Sequence, residues 1–92
     1  MITTIEQNNL EELISNYNRV DFGIVKRNII RLIDKSAYCN NNQALAEILG
    51  LNVHTIYGYR QPQRKLNVGF ESALRLCNVL GVSINELMIK NN

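Results

Sequence analysis

The sequence predicts an all-α domain, and three observations carry that prediction. Apolar residues recur at three- and four-residue spacings, and valine and isoleucine never alternate with polar residues at period two. Pro62 is the sole proline, so little interrupts long helical runs. Gly50 and Gly81 each follow an apolar-periodic segment, where a left-handed residue ends a helix at least cost.

The elements follow in order. Residues 4–18 place Leu10, Leu13, Ile14 and Tyr17 on one helical face. Thr4 with Gln7, or Asn9 with Glu12, has capping-box spacing there. This helix either covers apolar surface on the body or serves as a dimerisation arm. The second segment, about 22–35, takes Asp21 as its N-cap and has a core stripe of Phe22, Val25, Ile29, Leu32 and Ile33. Ile24 and Ile30 lie off that stripe, and the first helix is the natural cover for them.

A third helix spans 42–49, with Asn41 as N-cap and Leu45, Ile48 and Leu49 inward, and Gly50 ends it. After Leu51, Asn52 caps a fourth helix over 53–60. Residues 61–69 read as a polar, basic loop. The fifth helix spans 70–80, with Phe70, Ala73, Leu74, Cys77 and Leu80 inward. Ser83 and Glu86 form a capping box for a last short helix carrying Leu87 and Met88.

Composition narrows the function classes. At 92 residues the chain is one small domain, too short for a doubly wound cofactor-binding fold. Its 46% hydrophobic content is too high for a disordered chain, and no apolar run reaches the ~18–20 residues that span a bilayer. The N-terminus lacks the basic stretch and apolar core of an export signal, and two distant cysteines make no disulfide framework. Both point to a cytoplasmic protein. Charge is unevenly spread. Residues 1–21 hold Glu6, Glu11, Glu12 and Asp21 against Arg19, whereas residues 22–92 hold nine Lys/Arg against four carboxylates. A basic body with an acidic lead suits a polyanion-binding domain, residues 22–92, with an N-terminal helical extension, residues 1–21.

No catalytic or cofactor motif is present, and the single histidine, His54, lies on the fourth helix. Cys39, His54 and Cys77 include no CxxC pair, so neither enzyme chemistry, a metal nor a cofactor is expected, and Cys77 reads as core.

Residues 41–60 form helix, tight turn, helix, which is the helix-turn-helix pattern. The run Ala44-Leu45-Ala46-Glu47-Ile48-Leu49-Gly50-Leu51-Asn52-Val53-His54-Thr55-Ile56 resembles the core motif of the lambda-repressor/Cro-like (XRE-type) family. Downstream, Ala73-Leu74-Arg75-Leu76-Cys77-Asn78-Val79-Leu80-Gly81-Val82-Ser83-Ile84-Asn85-Glu86-Leu87 is similar to that family's tail. The likeness covers about residues 22–89. It implies a lambda-repressor-like five-helix domain, here with one additional N-terminal helix. One departure stands out: Tyr59-Arg60-Gln61-Pro62 replaces the tryptophan-glutamate-asparagine-glycine that usually closes the fourth helix.

The helical wheel assigns the faces independently of the family. Ile56 and Tyr59 face inward onto Leu45 and Leu49, whereas His54, Tyr57, Gly58 and Gln61 face outward. Imidazole, phenol and amide groups suit base edges in a major groove, and Gly58 suits a close backbone approach. Val53 borders this face, and the resemblance places it near a base. Asn42 and Asn52 match family positions that bond phosphates, and both also suit capping. Thr55 lies at the rim or beneath it. Arg60, Arg64 and Lys65, among Gln61, Gln63 and Asn67, form a cluster suited to clamping phosphates. Lys26, Arg27 and Arg31 add to the basic balance.

The resemblance implies a regulator of bacterial, phage or mobile-element type that binds double-stranded DNA as a homodimer on an inverted-repeat operator and acts as a repressor. A second class stays open: a protein-interaction module on the same fold, such as an antitoxin or phage-encoded inhibitor, with the acidic N-terminal helix as its tool.

Overall fold

The computed structural model describes residues 4–64 and 68–90, with side chains from Asn9 onward. Six helices occur among them: α1 (Thr4–Arg19), α2 (Phe22–Asp34), α3 (Asn42–Leu49), α4 (Val53–Arg60), α5 (Phe70–Leu80) and α6 (Asn85–Met88). The described residues contain no strand. The Thr4–Gln7 capping pair lies outside the described side chains. Asn9 sits inside α1, which starts earlier, and therefore caps nothing.

Caps set the boundaries as the sequence predicts. Asp21 Oδ1 accepts from the Gly23 amide at 2.7 Å, Asn41 Oδ1 from Ala44 at 3.0 Å, and Asn52 Oδ1 from His54 at 2.8 Å. Each satisfies a first-turn N–H that has no intrahelical partner. At the other ends, Gly50 and Gly81 take φ of 67° and 73°. The Leu51 and Val82 amides then reach back to the Ala46 and Cys77 carbonyls at 2.9 and 3.0 Å. These are Schellman closures, which need a left-handed residue that glycine adopts without steric cost. The α6 capping box does not form. Ser83 Oγ accepts from Asn85 N, and the Glu86 carboxylate turns instead to Arg31, 3.9 Å away.

The core gathers on α2, with Val25, Ile29, Leu32 and Ile33 buried against Leu45, Leu49, Ile56, Ala73, Leu76, Cys77, Ile84 and Leu87. Two expectations change here. Ile48 is 56% exposed, because α4 and α5 both pack on α3 and draw its buried sector to Leu45, Ala46 and Leu49. Leu76 is buried on α5, while Phe70, Leu74 and Leu80 are half-buried. Cys77 is fully buried, and desolvation raises its thiol to about 11. Arg75 donates to the Leu49 carbonyl at 2.8 Å, which satisfies a free carbonyl at the α3 C-terminus and places a cation at that helix's negative pole.

Two polar ties join distant segments. Asn28, buried on α2, donates through Nδ2 to the Leu87 and Ile89 carbonyls at 2.9 and 2.7 Å and so holds the C-terminal segment. The buried Tyr17 hydroxyl donates to the Val68 carbonyl at 2.6 Å, and its ring meets Phe70 edge-on at 5.6 Å. These contacts seat the C-terminal end of α1 on α5. Ile24 and Ile30 are half-buried, and Ile24 lines a hollow with Arg27, Asn28, Arg31 and Ile89 to which no described α1 residue contributes.

Asn28→Ala leaves two carbonyls short of a donor, at a cost of about 2 kcal/mol, measurable by chemical denaturation. Burial raises the Tyr17 hydroxyl from 10.0 to about 12. A group whose pKa is higher in the folded state stabilises fully below its unfolded value. The contribution of Tyr17 is therefore complete below pH 10 and is lost as pH rises through about 12. Tyr17→Phe is expected to flatten that alkaline loss of stability.

Candidate nucleic-acid interface

The turn Gly50-Leu51-Asn52 sets α4 against α3 and fixes which side of α4 is outward. Ile56 and Tyr59 are buried, at 0% and 5% exposure, as the wheel predicts. His54, Tyr57 and Gln61 are exposed, and Val53 is half-buried at the edge of their face. The His54 and Tyr57 rings meet edge to face, with centroids 5.8 Å apart. This arrangement restrains two polar aromatic groups side by side on an open surface. The helix ends where Pro62 dictates: the residue before a proline is pushed out of helical geometry, and Gln61 is extended at φ −98°, ψ 108°. Arg64 follows on an exposed turn closed by its own amide on the Gln61 carbonyl at 3.1 Å.

Gly58 departs from expectation. It is buried, and its carbonyl accepts from Lys26 Nζ at 2.6 Å. α2 packs on α4 and covers the Gly58 side, so the open sector is centred nearer to Tyr57. Gly58 is therefore withdrawn from the base-reading set: its backbone is buried and its carbonyl is engaged by Lys26 of α2.

Arg60 also departs. Its Nη1 donates to the Cys39 carbonyl and to Asn42 Oδ1, both at 2.8 Å, and its Nη2 pairs with the Asp34 carboxylate. A guanidinium with three internal partners is a brace between the end of α4, the α2–α3 connection and the start of α3. Arg60 is thus withdrawn from the phosphate-clamping set. Asn42 is half-buried and gives its carbonyl oxygen to this brace, and its amide N–H groups meet no acceptor among the described residues. Asn52 is exposed, with its oxygen spent on the cap and its amide donors likewise without an acceptor among the described residues. Thr55 is half-buried. Lys65 and Asn67 lie outside the described residues.

Sequence reasoning counted Lys26 with the surface cations, and the structure places it inside instead. It is 3% exposed, and Nζ bridges the Gly58 carbonyl and, at 2.7 Å, the Arg64 carbonyl. One ammonium thus ties the last turn of α4 to the basic turn beyond it. Burial first, and the nearby Arg64 guanidinium second, lower its pKa from the ordinary lysine value. A signal was present in the sequence. Lys26 stands one turn from Phe22 and Ile29, at the edge of the apolar stripe of α2, where a buried cation needs fixed acceptors. Arg27 and Arg31 lie across α2 from it, on a different surface.

No three His, Cys, Asp or Glu side chains among the described residues come together as a metal set. No described helix is long and apolar enough to cross a membrane. What α4 presents is a polar aromatic and amide face with a basic turn at one end. Such a surface can hydrogen-bond planar, edge-on acceptors and donors and meet phosphate beside them.

The family model for the Cro/C1-type HTH DNA-binding domain matches residues 28–91. No curated protein and no solved structure matches the chain.

Lys26→Met keeps most of the apolar stem and removes the two donors. The substitution is expected to cost about 2 kcal/mol through the two abandoned carbonyls. It should also speed amide exchange selectively from Gly58 to Arg64, read by hydrogen–deuterium exchange under conditions where the core stays protected.

Proposed function

Because the chain belongs to the Cro/C1-type helix-turn-helix DNA-binding family, we propose that it is a sequence-specific transcriptional regulator. In this reading it binds double-stranded DNA as a homodimer on an inverted repeat and represses by occupying a promoter. The observation that carries the reading is the exposed face of α4. His54, Tyr57 and Gln61 stand clear of the core on the helix that follows the tight turn, with Arg64 beside them.

The proposed mechanism divides the work by chemistry. α4 enters the major groove with its N-terminal half toward base edges. His54 and Gln61 hydrogen-bond base edges. Tyr57 and Val53 meet a thymine methyl, or Tyr57 a phosphate. Arg64 and Lys65 neutralise phosphates at the end of the helix, and the amide groups of Asn42 and Asn52, with Thr55, fix the backbone on the other side. Lys26 and Arg60 act from within by fixing α4 and its following turn before DNA arrives. Little of the reading surface then has to be ordered on binding.

Residues 22–92 form the DNA-binding domain in this account, and residues 1–21 are a helical extension. The match to the family begins inside α2, which leaves α1 outside it. Two protomers reading one operator would place their α4 helices about one helical turn apart, ~34 Å. The setting is the cytoplasm of a bacterium or a phage-infected cell. No catalytic step is assigned to the chain.

Selection from a random duplex library at two salt concentrations tests the proposal. Enrichment of an inverted repeat with half-sites one turn apart is the expected result. Retention without enrichment, or none at low salt, overturns sequence-specific reading, and the latter favours a protein partner. On the selected duplex, Arg64→Ala should weaken binding evenly across sequences and reduce the salt slope by about 1. His54→Ala should relax preference at one base pair by about 1–3 kcal/mol. A changed preferred sequence for Arg64→Ala, or an unchanged one for His54→Ala, would remove that residue from its assigned role.

A further inference from the structure

The side chains on the open sector of α4 share a chemistry that limits what they can read. Val53 and Tyr57 stand one turn apart, and Gln61 continues the same row one turn further, just past the helix end. His54 lies beside Tyr57, with the two rings edge to face. Tyr57 is 43% exposed, and His54 and Gln61 are exposed with it. Arg60, the basic residue of α4 itself, is turned away onto Cys39, Asn42 and Asp34. Lys26 is engaged by two carbonyls. Arg64 stands beyond Pro62, on the turn after the row. No Asp or Glu occurs between Glu47 and Glu71.

Each base shows its own pattern in the major groove. Guanine presents two acceptors, N7 and O6, which a cationic fork satisfies, and the row carries neither arginine nor lysine. Cytosine presents a donor, its 4-amino group, which a carboxylate satisfies, and the row carries none. Adenine sets an acceptor, N7, beside a donor, its 6-amino group, and a glutamine amide matches both at once. Thymine offers a methyl group to apolar contact and O4 to a donor. Val53 suits the methyl, and Tyr57 suits the methyl with its ring and O4 with its hydroxyl. His54 carries its two ring nitrogens in different directions, so it meets one base atom at a time and does not stand in for a fork.

We propose that α4 reads A·T pairs. The base pairs under Val53, Tyr57 and Gln61 in each half-site are A·T, with Gln61 on an adenine and Val53 and Tyr57 on thymine methyls. The proposal deepens the DNA-binding reading and rests on it. It differs from a general affinity for A·T-rich duplex. Shape readout acts through groove width and stiffness, including at pairs the protein never touches. The preference proposed here sits in the pairs that α4 covers and depends on groups exposed in the major groove.

Binding titrations on the duplex recovered by selection, at one fixed salt concentration, test it. The most tightly specified pairs of the half-site should be A·T. Uracil in place of the half-site thymines removes only methyl groups and should weaken binding at least about threefold for each methyl contacted. Gln61→Ala should relax the preference at one A·T pair. At that pair, 7-deazaadenine should weaken the wild type about tenfold and leave Gln61→Ala unaffected. Gln61→Arg should convert the preference there from A·T to G·C by about tenfold. Gln61 is exposed, so both variants should keep the thermal midpoint of the wild type. A half-site specified mainly by G·C pairs would overturn the proposal. So would A·T enrichment confined to the centre between half-sites, indifference to uracil, or an unchanged preference in both Gln61 variants. Each of these leaves sequence-specific binding itself intact. Absence of any enriched motif is a different failure, which overturns the functional reading and this inference with it.

Discussion

The shortness of α4 is the constraint on which the rest of the structure depends. Eight residues make two turns, well below the length at which an isolated helix persists in water. Its shape and direction must come from tertiary contacts. Ile56 and Tyr59 supply apolar burial on one side. Asn52 caps the start, Arg60 braces the end to α2 and α3, and Lys26 holds the Gly58 carbonyl from a third direction. A helix held on three sides keeps one sector open. That sector carries His54, Tyr57 and Gln61.

The same constraint explains why two basic residues face inward. A lysine that reaches a helix C-terminus lies at its negative pole, where unpaired carbonyls need donors. Lys26 approaches from α2 and satisfies two carbonyls at once. Arg60 lies on the last turn itself and folds back onto Cys39, Asn42 and Asp34. Both charges hold the interface in place, and the outward positive charge at this end is left to the turn that carries Arg64. Arg75 does similar work for α3 from α5. A net charge of +2 therefore says little about how much positive surface the protein shows to a polyanion.

α1 stands apart in the economy of the fold. α1 joins the core through Tyr17, with Leu13 packed beside it, and the Tyr17 hydroxyl and ring fix its C-terminal end on Val68 and Phe70. Only Val20 and Asp21 separate α1 from α2, so the anchored end cannot swing far. The stripe then runs outward past its support. An apolar face that fades from buried to exposed along one helix has a different physical meaning from one buried along its whole length.

The sequence by itself determined what local chemistry controls. Asp21, Asn41 and Asn52 as caps, Gly50 and Gly81 as stops, and the helix-turn-helix between Asn41 and Arg60 were all legible, because each depends on backbone groups within a few residues. The direction of Ile56 and Tyr59 was legible too, from the helical period alone. What the sequence left undecided is which neighbour each remaining face meets. Ile48 fits an inward stripe on a lone helix, but α4 and α5 approach from another side. Gly58 falls on the outward arc of the wheel, but Lys26 arrives there from a residue 32 positions earlier. Arg60 reads as a surface cation until Asp34 and Asn42 are brought beside it. Periodicity gives the shape of an element and its apolar direction. Only the tertiary structure decides which backbone carbonyl, carboxylate or helix stands opposite a given side chain, because those partners come from parts of the chain that local rules do not connect.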